Sequence, residues 1–243
     1  MLHRTFWTER RFTGMTLLLG ALLFLAGAFM PVTDSKGNII YSLPPREYLL
    51  VVSAHSMLWQ WASILFISGT IVTILGLVLL ATQLRDAGDR AFSSLGLLAF
   101  VFGAVLWIID VAFRLSIDLW AAQEMARTAA MPDYYVPLTR WTQTLFTIHT
   151  ILLFSALAAY GGALLTTRVL PHWVGWLAVA YGIIGVAIFS FTADFPPAIH
   201  YLLPLVMGIL LLLRRDQIPA SGRREGEPGG KPGQMFYRMN VER

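Results

Sequence analysis

Six runs of this chain are apolar almost without interruption: 12–31, 50–82, 91–118, 141–167, 173–192 and 198–213. At 1.5 Å per residue, a helix of about 20 residues crosses the ~30 Å of hydrocarbon in a bilayer. In that medium each backbone N–H and C=O must find its partner inside the protein, so the runs predict helices. Composition removes the soluble alternative. Hydrophobic residues make up 56% of the 243 and charged residues only 13%, which leaves too little polar surface to coat a globule of this length. The expected fold is all-α, a polytopic membrane bundle of six transmembrane helices within 1–213. A glycine-, proline- and charge-rich basic tail at 214–243 follows, with too little apolar surface to fold.

The links agree with this layout. Lys36-Gly37-Asn38 and Pro44-Pro45 mark an irregular segment after the first run, and 83–90 is a short charged connection around Gly88. Pro171 stands near the first turn of the fifth run, as the backbone prefers, and Asp194-Phe195-Pro196-Pro197 forms a tight turn before the sixth. The apolar stretch 48–82 exceeds one bilayer thickness. It is therefore expected to tilt, or to emerge into the interface around His55, Trp59, Gln60 and Trp61. Arg4, Arg10 and Arg11 ahead of the first run also fit a signal peptide, but five further runs favour retention of that run as the first span.

Orientation follows from lysine and arginine. With the N-terminus inside, the inner segments hold thirteen of these residues, seven of them in the tail, and the outer segments hold five: Lys36, Arg46, Arg114, Arg127 and Arg140. Both termini are thus expected in the cytoplasm. The net charge of +4 is concentrated at the ends and in short loops, so it reports topology and implies no nucleic-acid groove. The chain has no cysteine, which excludes disulfides, thiolate metal sites, c-type haem attachment and cysteine nucleophiles. It also lacks HExxH, GxSxG, GxxxxGK[ST] and a GxGxxG in a strand-to-helix setting.

Polar residues inside the runs carry the functional reading. In 103–120, Asp110, Arg114 and Asp118 fall at four-residue intervals on one helix face, a ladder in which one guanidinium bridges two carboxylates. Each inward-running helix carries a histidine and then a hydroxyl residue in its outer half: His55-Ser56, His149-Thr150 and His200-Tyr201. Helical rise puts these three histidines and Asp110 in one slab of the bilayer. Pro204 cannot bond the carbonyl of His200, four residues back, which leaves that group for water or a ligand. The expected site is an outward-facing polar pocket of His55, Asp110, His149 and His200, with Asp194 nearby.

Three chemistries stay open for that pocket. Imidazoles with a carboxylate suit zinc or copper, and His55 opposed to His149 could hold a b-type haem. A quinone or lipid headgroup needs only one histidine and one acid. The corresponding functions are a non-catalytic membrane protein that binds a small ligand or partner or serves as a subunit of a membrane complex, a metal-dependent membrane enzyme, and a haem-bearing electron carrier. The bilayer itself is the one partner that composition requires.

The segment from Leu170 to Ala178, Leu-Pro-His-Trp-Val-Gly-Trp-Leu-Ala, followed by Tyr181-Gly182, resembles the Leu-Pro-x-Trp-x-Gly-Trp-Leu signature of a bacterial family of six-helix membrane proteins of unknown function. The signature opens the fifth helix in that family. The resemblance implies a six-span fold in a bacterial cytoplasmic membrane, and it implies no activity.

Overall fold

The computed structural model describes residues 2–30, 40, 43–192 and 196–213. The basic tail, the 31–39 link and Asp194 lie outside them. Every regular element among the described residues is helical. They are α1 (Leu2–Ala28), α2 (Pro45–Ala54), α3 (Ser56–Asp86), α4 (Ala91–Phe113), a π-helical turn (Arg114–Asp118), α5 (Leu119–Thr128), α6 (Tyr135–Thr167), α7 (His172–Thr192), a 3-10 turn (Pro197–Tyr201) and α8 (Leu202–Leu213). Five segments are long and apolar enough to cross a bilayer: Glu9–Ala28, Ser56–Asp86, Ala91–Thr128, Tyr135–Thr167 and His172–Thr192. The apolar segment Pro197–Leu213 is shorter. The chain thus has the make-up of a multi-pass membrane protein.

α1 and α6 begin ahead of their apolar runs, at Leu2 and Tyr135, and two further departures from the sequence reading have local reasons. The long second run is broken at His55, whose φ of −122° and ψ of 33° leave the α-helical range. The break loses little hydrogen bonding, because His55 N–H still reaches Val51 O at 3.0 Å and His55 O still accepts Trp59 N–H at 2.9 Å. The third run does not stop at Asp118. It passes through the π turn into α5, which ends at Ala129 in the left-handed conformation, φ 57°. The residues after Asp118, which lie beyond the third apolar run, thus form a helix of ten residues.

Successive long helices pack on one another, and two further pairings join segments that are apart in the chain, α1 with α8 and α2 with α5. α1 lies against α3 and α8, α3 against α4, α4 against α6, and α6 against α7, while α2 and α5 pair with each other. Ile40, Leu49, Val52, Trp59, Phe113, Ala121, Ala122, Met125 and Tyr135 bury the α2–α5 pair as a core of its own, separate from the aliphatic core between the long helices. At the α4–α6 crossing there is little room for a side chain. A Cβ on Gly103 would come within 3.2 Å of Leu152 Cβ and 3.3 Å of His149 O, and would strike Leu153 Cδ1. This close approach brings α6 near enough for His149 to reach the backbone of α4.

Candidate functional site

His149 and His200 come together. Both are 0% exposed, and their rings stand edge to face with centroids 5.5 Å apart. α6 supplies His149 and the 3-10 turn supplies His200. Each ring is tied down through the same atom: His149 Nδ1 lies 2.9 Å from Gly103 O, and His200 Nδ1 lies 3.1 Å from Pro197 O. A carbonyl only accepts, so in both neutral rings Nδ1 carries the proton and Nε2 keeps its lone pair. For His149 that Nε2 is buried and meets no hydrogen-bond partner among the described residues.

Aromatic side chains wall the pair. Trp107 stacks on His149 at 5.0 Å and 25°, Phe146 lies 6.0 Å from the same ring, and Phe154 lies 4.5 Å from His200. The turn that presents His200 is held on both sides. Tyr201 stacks on Phe24 at 3.6 Å and shares a 2.8 Å hydrogen bond with Thr70, while Tyr181 donates its hydroxyl proton to Ile199 O. Pro204 falls in the first turn of α8, where no backbone N–H is needed, so it starts that helix and does not kink it. The expected site opens outward; the structure encloses the two rings.

The other candidates are placed elsewhere. His55 is exposed at the break between α2 and α3 and does not join the pair. The break that relieves an over-long helix also turns its histidine out of the bundle. Asp110 is committed to Arg114, whose Nε and Nη2 lie 2.9 and 2.8 Å from Asp110 Oδ2, with side chains 6% and 14% exposed. Among the described residues, no three of His, Cys, Asp and Glu gather closely enough to hold a metal ion together. The four-residue pocket of the sequence reading is thus reduced to two histidines.

The ladder is also rearranged. Arg114 takes Asp110 as expected, but Asp118 accepts hydrogen bonds from two phenols, Tyr48 on α2 and Tyr135 on α6, the latter at 3.0 Å. The cause is the π turn, whose wider coil moves Asp118 round the axis toward α2 and α6. Leu119 N–H bonds Ser116 O, and Arg114 O receives the indole N–H of Trp59 at 3.3 Å. Burial pushes the Tyr48 phenol well up, and the Asp118 carboxylate pushes it the same way, so Tyr48 stays a neutral donor.

These pieces form one continuous column. The Arg114 guanidinium lies 5.1 Å from the Trp107 ring and 6.0 Å from that of Trp59, and Trp107 in turn covers His149. The column therefore runs from Asp110 through Arg114, Trp107 and His149 to His200. Trp107, Tyr48 and Tyr135 carry no sequence signal that separates them from other interfacial aromatics. Comparison with family models, with curated proteins and with solved structures finds no match to this chain.

Proposed function

We propose that this protein is a non-catalytic integral membrane protein that binds a small ligand at the His149–His200 pair, alone or as a subunit of a larger membrane complex. In this reading the chain spans a bacterial cytoplasmic membrane six times, with Pro197–Leu213 as the short last span and both ends inside. The site then lies in the outer half. The observation that carries it is His149 Nε2: a lone pair buried in an apolar setting, with no donor to meet it among the described residues. The indole N–H of Trp107, stacked on the same ring, is likewise buried without a partner among the described residues. Leaving such a group unmet costs about 1–3 kcal/mol, a cost that a bound molecule or ion would remove.

The haem and zinc readings fit less well. A haem would need the two imidazoles parted and facing across a macrocycle, whereas they meet edge to face between Trp107 and Phe154. Zinc takes four donors in structural sites and three plus water in catalytic ones.

The test is native mass spectrometry of the protein in mild detergent, with an absorption spectrum and elemental analysis of the same sample. The expected result is an adduct present in the native chain and lost in His149→Phe. An unadducted native chain, with His149→Phe more thermally stable, would show that the pair is only a packing feature.

A further inference from the structure

Resting on that reading, we infer that α2 is a hinged cover over the ligand site, closed by folding back at His55 and opened by joining α3 as one continuous helix. The hinge is built into the chain. His55 leaves the α-helical range, with φ −122° and ψ 33°, yet its N–H still reaches Val51 O and its C=O still accepts Trp59 N–H. Both are the four-residue hydrogen bonds that an unbroken helix makes, so straightening needs only a backbone rotation at one exposed residue. The neighbouring residues suit the open form as well, since 51–59 hold neither glycine nor proline.

The two sides of the hinge are held differently. Trp59, one turn into α3, is 1% exposed and gives its indole N–H to Arg114 O at 3.3 Å. On the other side Tyr48 latches α2: its phenol donates to the Asp118 carboxylate, and its ring meets Trp59 edge to face at 5.6 Å. Leu49 and Val52 close the seam toward α5. Beneath that latch starts the column that leads from Trp59 through Arg114 and Trp107 to His149, the guanidinium lying 6.0 and 5.1 Å from the two indole rings. The enclosed histidine thus stands at the far end of a path that α2 covers. Length supplies the return movement. As a single helix 48–82 would be about 50 Å long against ~30 Å of hydrocarbon, a mismatch that folding back relieves. Opening turns the apolar seam toward lipid, which is as apolar as the side chains it replaces, so the seam resists opening less than it would in water.

The experiment puts nitroxide labels on cysteines introduced at exposed Leu50 of α2 and exposed Gln123 of α5, in a full chain that has no cysteine of its own, and reads their separation in lipid nanodiscs by pulsed electron resonance. Leu50 stands five residues before the hinge, about 7.5 Å along the helix, so the open form lengthens the separation by on the order of 10 Å. One short separation is expected in the otherwise native chain. A second, longer one is expected in Tyr48→Phe, which breaks the latch, and in His55→Ala, which favours the unbroken helix. Access is read on the unlabelled chains with diethyl pyrocarbonate, which carbethoxylates an unprotonated imidazole nitrogen. His149 should react roughly 10–100-fold faster in Tyr48→Phe than in the native chain, the ratio that a lost hydrogen bond to a charged group gives, while exposed His55 reacts at one rate in both and calibrates the reagent. A single separation in both variants, or a swing of α2 that leaves the His149 rate at its native value, overturns the inference. With α2 fixed and the His149-dependent adduct still present, the cover falls and the ligand-binding reading stands. A native chain without that adduct overturns the ligand-binding reading and takes the role of the cover with it.

Discussion

At the scale of single residues, the two acids of the π region are buried by different partners and should respond differently to mutation. Arg114→Ala strips the cation from Asp110, whose side chain is 6% exposed, and also removes the guanidinium from the Trp107 and Trp59 rings. Breaking one side of a buried pair costs about 3–5 kcal/mol. Asp118→Ala orphans the hydroxyls of Tyr48 and Tyr135, a loss of about 2–3 kcal/mol, and Asp118→Asn, which keeps one acceptor oxygen for one phenol and offers an amide N–H to the oxygen of the other, should cost less than either. Melting temperatures of the three variants in one detergent check the order; equal losses for Arg114→Ala and Asp118→Ala would show that Asp110 is solvated. His149 and His200 were legible as candidates because histidine is uncommon inside apolar runs. Trp107 was not, because a tryptophan near a helix end is as well explained by the interface as by a site. Depth along a helix was readable for His55, but whether its helix stays intact was not.

Secondary elements differ in how firmly they are attached. α2 is short, carries exposed Leu50 and an exposed charged first turn with Arg46 and Glu47, and is held chiefly by its apolar seam with α5 and by the Tyr48–Asp118 hydrogen bond. Tyr48→Phe removes that bond and nothing else of size. Hydrogen bonds to charged groups are worth about 1.5–3 kcal/mol, so amide exchange across Pro45–Ala54 should accelerate by roughly 10–100-fold while α3 and α6 are unchanged. Hydrogen exchange with mass spectrometry resolves the segment, and an equal rate increase in α3 would mean that the bond supports the whole bundle. The helices themselves were legible wherever a run was uniformly apolar. The departures lie at His55 and at 114–118, where the same residues suit an α-helix, a break or a π turn, and packing between α2, α5 and α6 decides among them.

For the whole molecule, the assignment of inside and outside rests on the distribution of basic residues and is open to direct test. The chain has no cysteine, so single introduced cysteines report cleanly. A cysteine at exposed Asp133 should react with an impermeant thiol reagent in intact cells, and one at exposed Ala87 should not. Ala87 is preferable to its neighbour Gly88, whose φ of +106° a side chain would strain. Labelling at Ala87 from outside would invert the bundle and place the histidine pair near the cytoplasm. The seam between α1 and α8 was not legible at all, since no local pattern announces which distant helices touch. There Gly14 and Gly208 face each other so closely that a Cβ on Gly208 would stand 2.9 Å from Gly14 O. That seam also governs biogenesis. The ribosome delivers α1 among the first segments and α8 only after all the other described helices, so α1 spends most of translation with one flank covered by nothing but lipid or an insertase. α1 can close its second face only late in synthesis, and the turn that carries His200 is positioned in that same final step.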